Sequence, residues 1–310
     1  MRRWKAMCGV VALAGASAMA GDVWIGNDIG RIDRNGPGGT ATIFPALCTE
    51  VRSMVAMGER LYLADAFGTI WSVGTKDMTF QVFPQAFLTN ALAVHNGDLL
   101  AAGSDGQLRR LRTSDGAVLS TRAIGGVVHA MTVDGDTVFM GGHDTLIRRG
   151  NALTGTFQII GACGGQVHSV AINGNELLAS SLDNRVYRIN KATGQYITQW
   201  NLPAGMGSTQ IAMDGAFLVA AGSDGLLRWL NPQTGALFHS TTVAAQARGM
   251  AVVRACKADV DRSGGLTPND FQAYMNLWAS GSPHAEMDGS TFLTSNDFMA
   301  FMNAYAAGCP

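Results

Sequence analysis

Short apolar runs separated by glycine-containing turns cover most of the chain, and the turns recur at a nearly fixed interval. The segments VHNGDL, VDGDTV, INGNEL and MDGAFL each place Asn-Gly or Asp-Gly between two apolar runs, and AMGERL holds the same place one interval earlier. The turn glycines are separated by 39, 38, 39 and 41 residues, and they are Gly58, Gly97, Gly135, Gly174 and Gly215. An internal repeat of this length indicates a solenoid, a propeller or another array of small units.

Two further series of turns run in phase with the first. One carries Asp105, Asp144, Asp183 and Asp224, and the other carries Gly116, Gly155, Gly194 and Gly235. Asn-Gly and Asp-Gly suit type I′ hairpin turns, in which both central residues have positive φ, and the recurring aspartates are ordinary turn residues rather than catalytic candidates. Three hairpins in each period connect four strands. Four strands in a period of about 39 residues predict the blades of a β-propeller.

The ends of the chain complement each other in this repeat. Five complete units begin at Val51, Asn90, Val128, Val167 and Ser208. Residues 22–44 supply three outer strands without an inner one, and residues 247–253 supply an inner strand alone. Together the two fragments complete one blade and leave no long exposed sheet edge. We therefore predict a mainly β fold, a six-bladed propeller over residues 21–254 closed by N- and C-terminal strands. A solenoid is the alternative, although its ends would not be complementary.

The repeats resemble those of WD40-like and quinoprotein-like propellers. The segment GSDGLLRWLNPQTGALF, residues 222–238, is similar to a hairpin and Thr-Gly turn of the quinoprotein repeat. The Trp-Asp ending of WD40 repeats and the tryptophan pattern of quinoproteins are absent. The resemblance implies an architecture and no particular function, because one fold supports many functions.

After residue 254 the pattern changes to two copies of a polar loop, each followed by an amphipathic segment. DVDRSGGLTPND, residues 259–270, and EMDGSTFLTSND, residues 286–297, align at an offset of 27 residues. Apolar residues at i, i+3, i+4 and i+7 predict one helix after each loop. A 12-residue EF-type loop supplies oxygen ligands for Ca²⁺ at positions 1, 3, 5, 7, 9 and 12. We predict a small α-helical calcium-binding module over residues 255–310.

Each loop offers an oxygen atom at all six of these positions. The expected ligands are Asp259, Asp261, Ser263, the Gly265 carbonyl, Thr267 and Asp270 in the first loop, and Glu286, Asp288, Ser290, the Phe292 carbonyl, Thr294 and Asp297 in the second. The first loop has glycine at the sharp turn of position 6, whereas the second has Thr291 there and begins with the longer Glu. We expect the first loop to bind more strongly. Polar helix caps without a metal are the alternative for both loops.

The duplication, the Asp at position 12 and the Asn-Asp pair that closes each loop resemble the dockerin type I module. That resemblance implies binding of Ca²⁺ and a cohesin-like or other cell-surface protein as the partner of the tail. Positions 10 and 11 are Pro268-Asn269 and Ser295-Asn296, which differ from the common recognition pairs, so the cohesin partner stays open. A disulfide between Cys256 and Cys309 would join the two ends of this small module and stabilise it. Cys48 and Cys163 lie three blades apart, so we expect free thiols there.

The first twenty residues have the order of a secretory signal peptide, with a basic start, an apolar run from Met7 to Ala16 and a small-residue cleavage site ending at Ala20. A membrane anchor is disfavoured because the run is too short to cross a bilayer. We expect a secreted or periplasmic protein without a membrane span. The chain has 22 basic and 23 acidic residues, and removal of the three basic residues of the signal leaves a net charge of −4. That balance argues against nucleic acid as a partner.

One position in each inner strand brings polar side chains to the same end of the channel. Counting six residues back from each turn glycine selects Arg52, Ala91, His129, His168 and Thr209, and Arg248 has the same phase in the last strand. We expect Arg52, His129, His168 and Arg248 to bind an anionic small molecule or glycan through charge-assisted hydrogen bonds. Binding should strengthen below about pH 6.5, where imidazole gains a proton. Scattered polar residues at strand starts are the alternative.

Sequence signatures of catalysis are absent, since the chain has no nucleophile elbow, no phosphate-binding glycine loop and no HExxH. We therefore expect a secreted, non-catalytic binding or surface-assembly protein. The alternative is a propeller enzyme, a lyase or hydrolase that acts on an anionic carbohydrate and is tethered by its tail.

Overall fold

The computed structural model describes residues 22–36, 39–83, 85, 87–207, 209–214, 216–243, 246–253, 258, 260, 266, 268–288, 290 and 292–307. Within these residues, twenty-four strands form six four-stranded antiparallel sheets. This arrangement confirms the six-bladed propeller. The predicted signal peptide, Cys256 and Cys309 lie outside the described residues.

The strands follow the chain from blade 1 to blade 6. They are β1 (Asp22–Asn27), β2 (Ile32–Gly36) and β3 (Gly39–Phe44) in blade 1; β4 (Val51–Met57), β5 (Arg60–Asp65), β6 (Ile70–Gly74) and β7 (Phe80–Phe83) in blade 2; β8 (Thr89–His95), β9 (Asp98–Gly103), β10 (Gln107–Leu111) and β11 (Val118–Ala123) in blade 3; β12 (Val128–Asp134), β13 (Thr137–Gly142), β14 (Leu146–Asn151) and β15 (Phe157–Ala162) in blade 4; β16 (Val167–Asn173), β17 (Glu176–Ser181), β18 (Arg185–Asn190) and β19 (Tyr196–Asn201) in blade 5; β20 (Gln210–Asp214), β21 (Phe217–Ala221), β22 (Leu226–Leu230) and β23 (Leu237–Thr242) in blade 6; and β24 (Ala247–Val253), the inner strand of blade 1.

The ring closes as the sequence predicts. β24 pairs antiparallel with β1, so that Met250 lies opposite Ile25. The inner strands β24, β4, β8, β12, β16 and β20 contact one another in that order around a central channel. Six apolar clusters hold the ring, one between each pair of neighbouring blades. Burial of apolar surface between blades is therefore the main force that holds the ring together.

The inner hairpins differ from the expected turn type. In three of them glycine is the first of the two central residues and alone has positive φ, as at Gly58, Gly135 and Gly174. That pattern is type II′. Blade 3 is the exception, because His95 pairs with Asp98 and both central residues, Asn96 and Gly97, have positive φ. The glycine of blade 3 therefore stands one position later in its hairpin than the others do.

The tail contains the two helices that the sequence predicts. They are α1 (Pro268–Ala279) and α2 (Ser295–Ala307), and a short 3₁₀ helix, Pro283–Ala285, lies between them. The rings of Tyr274 and Phe301 stack at 4.1 Å in the small apolar core between the helices. His284 carries its ring to within 5.4 Å of Trp229 in blade 6, so the tail contacts the propeller. In the described part of the chain no helix is long and apolar enough to cross a bilayer.

Cys48 and Cys163 are both free, as expected from their positions three blades apart. Cys48 is partly buried and Cys163 is buried. Burial, with the nearby Asp65 and Asp183 carboxylates as a second cause, raises the pKa of each thiol to about 12. Both therefore stay protonated at neutral pH.

Candidate functional site

A β-bulge follows the first residue of five inner strands. In β12, Val128 pairs with Gly142 and Ala130 pairs with Gly141, which leaves His129 without a partner on β13. The same shift of register leaves out Arg52, Asn90, His168 and Arg248 in their own strands. A bulge redirects the side chain of the extra residue. The bulged residues consequently gather at one end of the channel, which we call the mouth.

The mouth is a cavity of about 240 Å³. Its lining contains all four residues that the sequence selects as candidate ligands, and its members are Glu50, Arg52, Asn90, His129, His168, Gln210 and Arg248. Two residues of the sequence alignment do not face it. Ala91 is buried and does not line the mouth. The turn glycine of blade 3 stands one position later in its hairpin, so counting six residues back from it misses the bulged residue by one, and Asn90 lines the mouth instead. Thr209 is also buried, and its hydroxyl donates to the Gly207 carbonyl at 3.2 Å, so Gln210 lines the mouth instead.

The charges around the mouth are distributed unevenly. Arg248 and Arg52 lie on neighbouring inner strands, and His129 and His168 lie on two neighbouring strands across the channel. The two imidazole rings stack at 6.0 Å with an angle of 9° between their planes. Arg52 Nη1 donates to Asn90 Oδ1 at 3.1 Å, and Arg248 Nε lies 3.9 Å from Glu50 Oε1. Glu50 is the one carboxylate among the described residues that line the mouth.

Both histidines have a lowered pKa. Burial is the main cause for His129, followed by the charges of His143 and Arg52. Burial also lowers the pKa of His168 to about 4, with His129 and Arg248 as the further causes. At neutral pH both rings are therefore uncharged. In the free protein they gain a proton at a lower pH than the ordinary imidazole value suggests.

The channel behind the mouth is lined by both apolar and polar groups. It encloses about 430 Å³. Its wall includes Met54, Val55, Leu92, Met131, Val133, Val170, Ile172, Met213 and Val252. Asp134 is its only carboxylate among the described residues, and it lies at the last position of β12, the end of this strand away from His129.

The two loops of the tail are described to different extents. Of the first loop's expected ligands, Asp270 is described and is fully buried, whereas Asp259, Asp261, Ser263, Gly265 and Thr267 lie outside the described residues. All six expected ligand residues of the second loop are described. Glu286, Asp288 and Asp297 each offer a carboxylate oxygen to one group, in which these atoms lie within 4.8 Å of one another.

Asp297 also organises the second loop. Its Oδ1 accepts from the backbone N–H groups of Met287 at 2.7 Å and Asp288 at 3.1 Å, and its Oδ2 accepts from Thr294 N at 2.8 Å. The Ser290 hydroxyl donates to the Phe292 carbonyl at 2.8 Å. Burial and the three carboxylates raise the pKa of Tyr274. This set of hard oxygen donors with excess negative charge fits Ca²⁺.

The comparisons with known proteins agree with the propeller. The family profile described as outer membrane protein assembly factor BamB matches residues 160–265. The WD40 β-propeller domain of Doa1 aligns with a TM-score of 0.51 and 16% identity, over 64% of this chain and 70% of that one. A chain of a nidogen/laminin complex aligns with a TM-score of 0.65 and 9% identity, over 75% of this chain and 98% of that one. No curated protein matches the sequence. At these identities the structural likeness shows the fold alone.

Proposed function

We propose that this protein is an exported, non-catalytic binding or surface-assembly protein. Its propeller binds a small anion at the mouth, and its tail binds Ca²⁺ and attaches to a cohesin-like or other cell-surface protein. The observation that carries the proposal is the meeting of Arg52, Arg248, His129 and His168 from four inner strands in one cavity. The repeat places a bulge in each of these strands, but only the side chains at the bulges make the cavity basic.

Two nitrogen atoms at the mouth lack a hydrogen-bond partner among the described residues. They are Nε of Arg248 and Nε2 of His168, and both are buried. Buried polar atoms are nearly always hydrogen-bonded in native proteins, so these two suit a ligand that supplies acceptors. A carboxylate accepts several charge-assisted hydrogen bonds at once. A cavity of about 240 Å³ limits the ligand to a small acid or a single acidic sugar unit.

The test is a titration of the full mature chain followed by the imidazole NMR signals of His129 and His168. D-Glucuronate, acetate and citrate are the anionic probes, and glucose is the neutral control. We expect at least one acid to shift both signals, and the double variant Arg52→Ala/Arg248→Ala to remove the response while keeping the melting temperature. If no acid shifts either signal, the mouth is only the closed end of a structural ring.

The calcium proposal has its support in the second loop. Glu286 and Asp297 are buried together with their carboxylates close to that of Asp288. Burying like charges side by side is costly unless an opposite charge neutralises them. A bound Ca²⁺ would supply that charge and hold the loop against α2. The tail is also small enough for metal binding to make up a large share of its stability.

The second candidate function is a lyase or hydrolase acting on an anionic carbohydrate. The observation that favours it is the neutral His168 imidazole, whose pKa is about 4, across the mouth from two arginines. The arginines would hold a substrate carboxylate while the imidazole accepts a proton. Incubation with oligouronates should then give shorter products, and His168→Gln should stop their formation. Unchanged oligouronates after prolonged incubation exclude this candidate.

A further inference from the structure

An arginine of blade 4 lacks the carboxylate that its counterparts have in other blades. In blades 1, 3 and 5 the third strand carries an arginine opposite the third residue of the second strand, and this arginine forms an ion pair with the first residue of the second strand. The pairs are Arg34 with Asp22 at 3.7 Å, Arg110 with Asp98 at 2.6 Å and Arg188 with Glu176 at 2.7 Å. In blade 4 the arginine is Arg149 and the partner position is Thr137. No carboxylate of the described residues forms an ion pair with Arg149.

Neutral groups surround the Arg149 guanidinium instead. Its Nη1 donates to the backbone carbonyl of Lys191 at 3.2 Å and to that of Ala192, both in blade 5. With its amide oriented to present oxygen, Gln158 accepts from Nε at 3.3 Å and from Nη2. Arg188 makes the equivalent bond to blade 6, because its Nη1 donates to the Gln233 carbonyl at 3.0 Å. Arg149 and Arg188 thus each hydrogen-bond to the next blade. Arg188 also has a carboxylate partner in Glu176, whereas Arg149 has none among the described residues.

The uncompensated guanidinium lies in a cavity of about 580 Å³ between blade 4 and the turn of blade 5. We call it the blade 4 cleft, and its main lining residues are Thr137, Phe139, Arg149, Phe157, Gln158 and Lys191. Asp134 also lines the cleft and forms an ion pair with Lys191 at 2.5 Å. Because Asp134 is the last residue of β12 and His129 is near its start, the cleft and the mouth open at opposite ends of this strand.

A second departure from the repeat shapes the same cleft. The residue after Arg149 is Gly150, where four other blades carry a larger apolar residue, namely Val73, Leu111, Ile189 and Leu230. A Cβ atom at Gly150 would lie 2.0 Å from Cδ1 of Phe157. The glycine therefore lets the Phe157 ring lie across the strand and form an apolar wall beside Arg149.

We propose that the blade 4 cleft is a second ligand site, which binds an acidic sugar unit. The guanidinium would take the carboxylate in place of the exposed Gln158 amide, since an arginine–carboxylate pair is stronger than a bond to a neutral oxygen. Thr137, Asn151 and Thr156 and the Asp134–Lys191 pair offer both donors and acceptors to hydroxyl groups. Phe157 offers an apolar face to the sugar ring. The cavity has the size of small-molecule sites in general, about 300–1,000 Å³.

The decisive variant is Thr137→Glu, which gives blade 4 the carboxylate that Glu176 provides in blade 5. It should neutralise Arg149 without disturbing the fold and remove ligand binding. Arg149→Gln should also remove binding, but it deletes contacts to blade 5 and can destabilise the ring. Arg110→Gln is the matched control, because this arginine is already paired and lies in another blade.

Binding is measured by isothermal titration calorimetry in the Arg52→Ala/Arg248→Ala background, so that a failure at the mouth does not affect the result. We expect about one equivalent of D-glucuronate to bind, and Thr137→Glu to weaken it by about tenfold or more, as the loss of a charge-assisted hydrogen bond implies. Arg110→Gln should bind normally. Absence of binding in this background, or normal binding by Thr137→Glu, overturns the proposal. N-acetylaspartate is the carboxylate without a sugar, and equal affinity for it overturns the assignment to a sugar.

Discussion

Lowering the pH should strengthen the binding of a carboxylate at the mouth. In the free protein, burial and the positive charges of the surrounding groups hold the pKa of His168 at about 4, against an ordinary value of 6.5. The groups that face the two rings are Arg52, Arg248, His143 and the single carboxylate of Glu50. A bound anion adds negative charge beside the imidazole and raises its pKa again. Binding therefore takes up a proton.

The size of the effect follows from this linkage. If the anion restores the pKa of His168 to its ordinary value, the affinity rises about tenfold for each pH unit below 6.5, until the pKa of the free ring is reached. Between pH 7.5 and pH 5 the expected gain is roughly 30-fold for one proton. The carboxylate of the ligand stays mostly ionised over this range, because such groups titrate near 3.3–3.7. The gain therefore reflects the histidine.

The assay is isothermal titration calorimetry of D-glucuronate from pH 7.5 to pH 5 in two buffers of different ionisation enthalpy. The Thr137→Glu background isolates the mouth from the blade 4 cleft. His168→Gln should bind with an affinity that depends much less on pH, whereas the exposed His239→Gln is the control and should keep the full slope. An affinity that is constant over this range, without proton uptake, would refute the contact between the imidazoles and the anion.

The same lowered pKa predicts acid sensitivity of the free fold. In the unfolded chain His168 takes up a proton near pH 6.5, whereas in the folded chain it stays neutral down to about pH 4. Stability is therefore lost as the pH falls through this interval, by up to about 1.4 kcal/mol for each unit. Unfolding by urea at several pH values measures the loss. A bound anion should reduce it, and this makes stability a second readout of the mouth.

Three further predictions concern the tail, the joints between blades and the thiols. Millimolar calcium should raise the melting temperature of the tail relative to EDTA in calorimetry of the full chain, and Asp297→Asn should remove most of this rise while the exposed Glu59→Gln keeps it. The buried Ser169 hydroxyl accepts from the N–H and donates to the C=O of Ile211 in β20, both at 3.1 Å. Ser169→Ala deletes both bonds, so it should lower the free energy of unfolding by about 1–3 kcal/mol in urea. A loss near zero would contradict this prediction. Because burial raises the pKa of Cys48 and Cys163 to about 12, iodoacetamide should label them only after unfolding, and fast labelling of the native chain would contradict their burial.

The ring could be predicted from the sequence because its turn residues recur at a regular interval. Hairpin turns need residues of special conformation, so glycine and aspartate recur at the same phase in every blade. Complementary fragments at the two ends then fix how the ring closes. Which residue of an inner strand lines the mouth could not be predicted in this way. Gly97 is the second central residue of its hairpin and Gly58 is the first, so a count from the glycine selects Ala91 where the structure has Asn90 at the mouth.

The blade 4 cleft escapes sequence reasoning for a different reason. It contains no recognised motif, and its signal is the replacement of an expected carboxylate by Thr137. That signal becomes visible only when the register shows that the first residue of the second strand lies diagonally opposite the arginine of the third strand. Asp98 and Glu176 stand at this position in neighbouring blades and could have served as the reference.

Both candidate sites use positions where the blades share a backbone but differ in side chain. The apolar clusters between blades hold the ring, so residues at the ends of the strands can change without loss of the core. Around the mouth this freedom places the arginines on one side and the histidines across the channel from them. A carboxylate should therefore bind between Arg52 and Arg248, which are always charged, and the imidazoles across the channel, within reach of both sides. Replacing the arginines should then reduce the preference for acids over neutral sugars, whereas replacing the histidines should mainly change the pH dependence.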